Sequence, residues 1–524
     1  MVGRSTPQRI VLTVGPKPSR EVPLDILNNL FQGFHVIFQP DNILFCFLGV
    51  LMGTLVGVLP GLGPTGAISI LLPATFRMSP TSAIIMLAGI YYGSMYGGST
   101  TSILVNIPGE AASVVTCLDG YEMAKRGRAG AALGISAFGS FIAGTLGIVG
   151  LMIFATPLAE FALQFGPPEY FAVVLLGLTL LTHLSTGSTV KALIMGVLGI
   201  VLSNVGLDPI YGSPRNTFDI LELGDGISLV PMAMGLVGVS EILINIEQTA
   251  APSILKTKIK GLFPTLLDWR HSTGAILRGS VLGFFLGTLP GGGAVMSSFV
   301  SYGLEKRVSK NPETFGKGAI AGVAGPESAN NASAAGAFIP LFTLGIPGTL
   351  VTALLFGALV IHGIRPGPFF IKQHPDLFWG VISSMYVGNV MLLVLNLPLI
   401  PLWVKLLKVP YKILLPLILL FCIIGAYSIN NTLFDVLVMT ISGIAGYLCK
   451  KFEYECAPLI LAFILAPLLE LNLRQSLLHS KGSFLIFFSR PISMVFVVVS
   501  IIVLISPLIV PFFKTGKRTA SLTE

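Results

Sequence analysis

Two stretches of this chain combine oxygen-bearing side chains with glycines in surroundings that are otherwise apolar. The first is YGSMYGGSTTSILVNIPG and the second is GPESANNASAAGAFIPLFTLGIPG. Hydroxyl, amide and backbone carbonyl oxygens suit a hard cation such as sodium, and the N–H groups at a helix start bind anions. The sequence therefore predicts a substrate and ion path in which both stretches take part.

The candidate binding residues come from these stretches and from two related Leu-Pro-Gly segments, GVLPGLGPTGA and GTLPGGGAVMS. In the first half of the chain they are Gly61, Gly63, Thr65, Ser94, Gly97, Gly98, Ser99, Thr100, Asn106 and Gly109. In the second half they are Gly291, Gly293, Ser297, Glu327, Asn330, Asn331, Ser333, Gly336, Thr343, Gly348 and Thr349. The ligands of a sodium ion are not identified by the sequence, and no cofactor is expected beyond a coupling ion, sodium or a proton.

Each of these residues also has a simpler interpretation. Small residues in membrane helices often serve only to let helices pack closely. Glu327 stands at the edge of its stretch, so it is either a solvated loop charge or a direct ion or proton ligand. Glu110, which follows the first Ile-Pro-Gly tripeptide, is a weaker candidate for the same role. The recurrence of the whole pattern in both halves favours function over packing.

Composition places these stretches in a membrane. The 524 residues are 53% hydrophobic and 11% charged, with a mean hydropathy of +0.85. Many uncharged runs reach the roughly 20 residues that a spanning helix needs. These runs do not alternate apolar and polar residues as barrel strands do. We expect an all-α polytopic membrane protein with about 10–12 transmembrane helices. The net charge of +8 fits basic loops that set orientation, and nucleic acid is not an expected partner.

Proline and glycine interrupt several of the apolar runs. The predicted interruptions are Pro60-Gly61 with Gly63-Pro64, Gly93 with Gly97-Gly98, Pro108-Gly109, Pro340, and Pro347-Gly348. Irregular backbone inside a membrane is tolerated only within protein or beside a cavity. The sequence therefore predicts discontinuous helices or re-entrant hairpins that face the interior.

An internal repeat organises the chain. The two Leu-Pro-Gly segments each precede an Ile-Pro-Gly tripeptide, and aligning the tripeptides places Ser94 on Ser333 and Gly97 on Gly336. The predicted divisions are an N-terminal tail with a weakly amphipathic segment (1–40), repeat unit 1 (41–152), linking spans with a polar loop (153–273), repeat unit 2 (274–394), C-terminal scaffold spans (395–513) and a basic cytoplasmic tail (514–524). Glu470 and Arg474 are expected to pair within the scaffold.

Loop charges predict that the two units have opposite orientations. The loop after the first Leu-Pro-Gly segment carries Arg77 alone, whereas its counterpart carries Lys306, Arg307, Lys310 and Lys317. The loops after the Ile-Pro-Gly tripeptides show the reverse bias. Under the positive-inside rule this is the inverted repeat of secondary transporters. The basic N-terminal tail does not fit the simplest topology, so the side of the N-terminus stays open.

Extended motifs identify a family. The stretches GVLPGLGPTGAISILLPATF, YYGSMYGGSTTSILVNIPGEAASVVTCLDGYEMAKRGRAGAALG, FGPPEYF, LPGGGAVMSSFVSYGLEKRVSKNPETFGKGAIAGVAGPESANNASAAGAFIPLFTLGIPG and IHGIRPGP cover most of residues 43–394. In this order they resemble the TctA family, the large permease subunit of tripartite tricarboxylate transporters. The resemblance implies cation-coupled uptake of a small organic anion, such as a di- or tricarboxylate, across the bacterial inner membrane. It also implies a periplasmic substrate-binding protein and a small membrane subunit as partners.

Other functions compete with this interpretation. One alternative is a TRAP-like or stand-alone carboxylate carrier that works without a binding protein. An intramembrane enzyme would need a nucleophile–base pair, a metal cluster or paired acids at membrane depth, and the sequence supplies no such pattern. A channel is the third alternative, which two broken-helix units disfavour because they suit alternating access. The particular carboxylate, the ion stoichiometry and the oligomeric state are not determined by the sequence.

Overall fold

Helices dominate the structure, as the apolar runs predict. The computed structural model describes residues 22–59, 63–184, 188–208, 210–247, 261–406 and 411–519. Within these ranges the single sheet is a short ribbon, in which β1 (Gly206–Leu207) is antiparallel to β2 (Pro214–Arg215). Gly61 and most of the N-terminal tail lie outside the described residues. The prediction of an all-α polytopic membrane protein is confirmed.

Several helices are long and apolar enough to cross a bilayer. Among the described residues there are six, namely Pro40–Val58, Ala129–Ala162, Leu229–Glu247, Pro375–Asn396, Leu433–Lys451 and Ala457–His479. Shorter apolar helices accompany them, at Pro167–Leu180, Thr189–Ser203, Leu350–Ile361, Ile418–Asn430 and Pro491–Ile505. Large apolar side chains such as Ile153, Val394 and Ile441 are exposed, which fits contact with lipid.

Among the described residues, the N-terminal tail, the first predicted unit and the linking segment contain ten α-helices. The first six are α1 (Val22–Ile37), α2 (Pro40–Val58), α3 (Gly63–Leu71), α4 (Pro80–Val105), α5 (Val114–Lys125) and α6 (Ala129–Ala162). The linking segment adds α7 (Pro167–Leu184), α8 (Thr189–Ser203), α9 (Leu229–Ala233) and α10 (Ser240–Glu247). A π-helical turn at Met234–Val239 joins α9 and α10 into one continuous helix.

The second half repeats this construction and adds a helical scaffold. Its predicted repeat unit contains α11 (Leu266–Gly287), α12 (Gly293–Val308), α13 (Ala321–Gly336), α14 (Phe338–Leu344), α15 (Leu350–Ile361), α16 (Phe370–Gln373) and α17 (Pro375–Asn396). The scaffold consists of α18 (Ile400–Leu406), α19 (Tyr411–Asn430), α20 (Leu433–Lys451), α21 (Ala457–His479), α22 (Ile486–Ser489) and α23 (Pro491–Thr519). Within the scaffold, Arg474 pairs with Glu470 at 2.9 Å, as expected.

The two predicted units contain equivalent helix pairs. In the first, α2 packs along α4, and a Cβ on Gly57 would lie 2.3 Å from the carbonyl oxygen of Ser94. In the second, α11 packs along α13, and a Cβ on Gly287 would lie 2.2 Å from the carbonyl oxygen of Ser333. The alignment drawn from the sequence places Ser94 on Ser333, so the pairs match residue for residue. Their opposite orientation in the membrane remains a prediction.

The helix breaks agree only in part with those predicted. Helix breaks do occur at the second Leu-Pro-Gly segment and at the two Ile-Pro-Gly tripeptides. At the first Leu-Pro-Gly segment α2 ends at Val58 and α3 begins at Gly63, and Pro60 and Gly61 lie outside the described residues. The break predicted at Gly93, Gly97 and Gly98 is wrong, because α4 continues unbroken through them. Gly97 instead allows close packing, since a Cβ there would lie 2.3 Å from the Thr54 carbonyl oxygen. Pro340 also lies inside a helix, α14, and the chain breaks after it, at Gly345–Gly348.

Candidate functional site

Four helix starts from the two predicted repeat units converge on one cavity of about 500 Å³. Its wall contains Gly63 and Gly293, the first residues of α3 and α12. It also contains Ala111, where a 3-10 turn leads into α5, and Leu350, the first residue of α15. Each unit thus contributes one helix start after its Leu-Pro-Gly segment and one after its Ile-Pro-Gly tripeptide.

Glycine begins both helices that follow the Leu-Pro-Gly segments. Gly63 and Gly293 have φ angles of 56° and 41°, a region that residues with a Cβ rarely adopt. In the second unit the Gly291 N–H donates to the Gly348 carbonyl oxygen at 2.7 Å. This bond ties the Leu-Pro-Gly segment to the Ile-Pro-Gly tripeptide, so both helix starts are held against the same space.

Equivalent caps begin the two helices that follow the Ile-Pro-Gly tripeptides. In the first unit the Ala112 N–H donates to Glu110 Oε2 at 2.8 Å, and Ser113 completes the capping box. In the second, the Thr352 N–H donates to Thr349 Oγ1 at 3.2 Å, and the Thr352 side chain completes the box. Glu110 and Thr349 therefore occupy matching positions in the cavity wall.

The wall combines these helix starts with apolar side chains. Tyr91 and Met95 come from α4, Val237 from the π-helical turn and Leu461 from α21. Glu110, Glu241 and Glu455 also line the cavity, and none of its described lining residues is Lys or Arg. The unpaired N–H groups and dipole of a helix start favour a bound anion. Four such starts give the cavity anion-binding character without a basic side chain.

Part of the candidate set predicted from the sequence lies in this wall. The residues that the structure brings together there are Gly63, Thr65, Gly109, Gly291, Gly293, Gly348 and Thr349. All of them come from the segments around the Leu-Pro-Gly and Ile-Pro-Gly breaks. The pattern of these breaks was thus the informative signal for the cavity.

The remaining candidates lie away from the cavity wall. They are Ser94, Gly97, Gly98, Ser99, Thr100, Asn106, Ser297, Glu327, Asn330, Asn331, Ser333, Gly336 and Thr343. Most of them are in the interiors of α4, α12 and α13 and are buried. Gly336 has a packing role, since a Cβ there would lie 2.3 Å from the Phe284 carbonyl oxygen. Asn106 is the C-cap of α4, with a φ of 60°.

Glu327 is the centre of a buried polar network behind the cavity. Its side chain is fully buried in α13, so the alternative of a solvated loop charge is wrong. Ser99 Oγ on α4 donates to Glu327 Oε2 at 2.5 Å, and the Thr116 hydroxyl on α5 donates to Oε1. Asn330 Nδ2 lies 3.4 Å from Oε2. The carboxylate thus joins a helix of the second unit to two helices of the first.

Asn331 extends this network towards α6. Its Nδ2 lies 2.8 Å from Ser140 Oγ, 3.0 Å from the Glu327 carbonyl oxygen and 2.7 Å from Asn330 Oδ1. The stretch from Ser328 to Ser333 is an intact part of α13, so its backbone is helical. The polar side chains satisfy one another across helix interfaces instead of lining the cavity.

Some wall residues were not among the sequence candidates. Glu241 in α10 pairs with Lys450 in α20, and Ala457 and Pro458 begin α21. Glu241 belongs to the predicted linking spans, Ala457 and Pro458 belong to the predicted scaffold spans, and no local motif marks them. Glu110, which the sequence offered as a weaker candidate directly after an Ile-Pro-Gly tripeptide, also lies in the wall.

This construction defines a class of protein and then a family. A polytopic helical chain whose broken helices begin at one cavity has the architecture of a secondary transporter. The model of the "Tripartite tricarboxylate transporter TctA family" matches residues 43–461, and the chain belongs to that family. This confirms the resemblance seen in the sequence motifs.

Two similar proteins come from Agrobacterium vitis. The "Uncharacterized 52.8 kDa protein in TAR-I ttuC' 3'region" is 52% identical over 470 residues, which are 90% of this chain and 94% of that protein. The "Uncharacterized protein in TAR-II ttuC' 3'region" is 56% identical over 211 residues, which are 40% of this chain and 87% of that protein. No solved structure matches the chain.

Proposed function

We propose that this chain is the large permease subunit of a cation-coupled transporter that imports small organic anions across the bacterial inner membrane. The observation that carries the proposal is the convergence of four helix starts, two from each unit, on one cavity. Broken-helix transporters bind substrate and coupling ion in such an arrangement, at the interface of their repeats.

The chemistry of the cavity favours a carboxylate. Each helix start carries a partial positive charge of roughly half a unit and N–H groups without helical partners. A volume of about 500 Å³ lies in the range of small-molecule sites. A di- or tricarboxylate can place separate carboxylate groups against separate helix starts, which a monocarboxylate cannot do.

Two further features belong to the proposal. A cation, sodium or a proton, offsets the charge of the anion as it crosses the membrane. A periplasmic substrate-binding protein delivers the anion, and a small membrane subunit completes the assembly. Both partners are consistent with the word tripartite in the description of the family. In this arrangement the present chain forms the path through the membrane.

The test removes one helix-start donor at a time. Proline is tolerated at the first position of a helix and has no backbone N–H. Leu350→Pro therefore removes one N–H donor at the cavity while retaining α15. Thr349, which precedes it, is extended with ψ of 165°, as a residue before proline requires. Leu350→Ala is the control for the lost side chain. Leu433→Pro, at the equivalent position of α20 and away from the cavity, is the control for the proline.

Uptake of labelled di- and tricarboxylates is measured in vesicles that contain the chain and its two partners. We expect Leu350→Pro to raise the half-saturation concentration roughly tenfold beyond Leu350→Ala, the value of about one hydrogen bond to a charged group. Equal values for the two variants would contradict anion binding at the helix starts. Transport by the chain without a binding protein would contradict only the tripartite arrangement and would leave anion binding at the helix starts unaffected.

A further inference from the structure

The two matching caps in the cavity wall differ in charge. Glu110 caps the helix after the first Ile-Pro-Gly tripeptide, and Thr349 caps the helix after the second. Both complete a capping box with the residue three positions later. Since a neutral hydroxyl is sufficient in the second unit, capping alone does not account for a carboxylate in the first.

The second oxygen of Glu110 has no hydrogen-bond donor. Oε2 accepts from the Ala112 N–H, whereas Oε1 is buried without a hydrogen-bond partner among the described residues. The whole residue is only 7% exposed. A buried carboxylate oxygen left without a donor is costly, so it calls for a cation or proton that is not a side chain of the chain.

The surroundings of Glu110 add negative charge. Gly98 on α4 lies directly against Glu110, because a Cβ there would be 2.8 Å from Glu110 Cγ. The next residue, Ser99, donates to the carboxylate of Glu327. Within the described residues neither Glu110 nor Glu327 forms an ion pair with Lys, Arg or His. An anion in the cavity would therefore lie beside the Glu110 carboxylate, with that of Glu327 behind the wall, and no basic side chain of the described residues pairs with either.

From this geometry we propose that Glu110 takes up one monovalent cation, a proton or a sodium ion, each time the cavity takes up its anion. This inference rests on the proposed function and assigns its coupling to one residue. The cation sits at Oε1, on the side of the carboxylate that the helix cap does not use. It removes the repulsion between Glu110 and the bound carboxylate, so anion and cation bind cooperatively. Only the first unit then binds a cation in this way, since Thr349, at the matching position of the second unit, has no charge to neutralise.

Other titratable groups face the same space, and the test must separate them from Glu110. Tyr91 on α4 and Glu455, which precedes α21, line the cavity, and Glu327 on α13 is buried behind its wall. Glu241 on α10 pairs with Lys450 on α20. The comparison of variants at residue 110 alone leaves all of these groups in place.

The experiment compares the wild type with Glu110→Gln, Glu110→Thr and, as a control, Glu313→Gln in vesicles with both partner proteins; Glu313 is exposed and lies outside the cavity wall. Glu110→Gln keeps the shape of the side chain, and Glu110→Thr copies the cap of the second unit. The half-saturation concentration of a dicarboxylate is measured while sodium is varied at fixed pH, and again while pH is varied without sodium. Counterflow exchange and accumulation against a gradient are recorded for each protein.

If one cation binds with each anion, the affinity of the wild type for the dicarboxylate falls about tenfold for each tenfold drop in the concentration of the coupling cation below its own Kd. If the affinity depends on sodium at fixed pH, the cation is sodium; if it depends on pH without sodium, the cation is a proton. We expect both Glu110 variants to lose the dependence and the accumulation but to retain counterflow. Glu313→Gln, which removes a carboxylate away from the cavity, should keep the wild-type dependence.

Two results would overturn the inference. One is an unchanged cation dependence in Glu110→Gln and Glu110→Thr. The other is failure of both variants to fold, which would assign Glu110 to the structure of the wall, since threonine caps the equivalent helix. Failure of the proposed function would give a different result, because the wild type itself would then transport no carboxylate or would transport it without dependence on either cation.

Discussion

Gly287 lies so close to Ser333 that a Cβ on the glycine would be 2.2 Å from the serine carbonyl oxygen. Gly57 and Ser94 have the same relationship in the first unit, at 2.3 Å. In each pair the glycine is at or near the end of the helix that precedes a Leu-Pro-Gly turn. Close packing of these two helix pairs therefore fixes the points from which the chain turns towards the cavity.

Replacing Gly287 by alanine is expected to destabilise the protein. The added methyl group would overlap backbone atoms of α13, which cannot move aside as a flexible side chain can. Overpacking of this kind costs about 1–3 kcal/mol, and a rigid backbone neighbour places the effect at the upper end. The measurement is the thermal unfolding midpoint of the purified protein in detergent, together with its yield in the membrane.

Gly303→Ala is the matched control. Gly303 is exposed in α12, and a Cβ there meets no atom within 4 Å. Alanine is the better helix former by about 1 kcal/mol, so this variant should be neutral or slightly more stable. A loss of stability as large for Gly303→Ala as for Gly287→Ala would show that helix contact is not the cause.

The inverted orientation of the two units predicts a labelling pattern. Arg77 and Lys310 follow the equivalent Leu-Pro-Gly helices, and both are exposed. Single cysteines at these positions, in a background without the native thiols, should react with an impermeant maleimide from opposite sides of the membrane. Reaction from the same side would contradict the inverted repeat while leaving the cavity geometry unaffected.

The fold and the breaks of the cavity were predictable because they depend on local sequence. Apolar runs of spanning length indicate membrane helices, and Pro-Gly pairs interrupt them wherever the structure places a break at the cavity. The alignment of Ser94 with Ser333 rested on few identities, yet it corresponds to matching backbone contacts. In these cases the chemistry of neighbouring residues determines the local geometry.

The polar stretches were harder to interpret because their role depends on distant partners. Asn331 and Glu327 have the composition of an ion site, but Ser140 on α6 and Ser99 on α4 bind them within the protein. Likewise, glycines in α4 resembled a break, whereas they admit the backbone of α2. Which helix packs against which is a property of the tertiary fold, and no local motif encodes it.

The polar loop between α8 and α9 predicts a pH-dependent contribution to stability. Asp208 accepts from the Tyr211 and Ile210 N–H groups at 2.9 and 2.7 Å and pairs with Arg474 and Arg215 at 2.9 Å each. These backbone bonds and then the two guanidinium groups lower its pKa to about 2, against the opposing effect of desolvation. Its pKa in an unfolded chain is about 3.9.

A lowered pKa in the folded state means that ionised Asp208 stabilises the protein above about pH 4. The contribution is lost as the pH falls from there towards 2. Asp208→Asn should therefore lower the melting temperature at pH 6, and its difference from the wild type should shrink below pH 4. Asn at the exposed Asp225 is the control and should give no such difference. A difference in melting temperature between Asp208→Asn and the wild type that stays constant down to pH 3 would exclude ionisation of Asp208 as its cause.

The network around Glu327 is expected to hold the two units together. Ser99, Thr116 and Asn330 all direct donors at its carboxylate, and all are buried. Glu327→Leu would leave these donors without an acceptor, at about 1–3 kcal/mol for each that finds no new partner. Glu327→Gln retains one acceptor oxygen and should be the less severe change. Unfolding in detergent measures both, and equal stability of the two variants would contradict the role of the donors.

Asn331→Leu separates structure from transport in the same network. Leucine has a similar volume but cannot donate to Ser140 Oγ, Asn330 Oδ1 or the Glu327 carbonyl oxygen. Because Asn331 lies outside the cavity wall, we expect a loss of stability of about 1–3 kcal/mol and an unchanged half-saturation concentration for anion and cation.

Ser442→Ala, in the scaffold helix α20, should change neither quantity. Uptake normalised to the amount of folded protein in the membrane provides the comparison. A fivefold or larger shift in half-saturation at wild-type stability would place Asn331 on the transport path, in a conformation in which α13 opens towards the cavity.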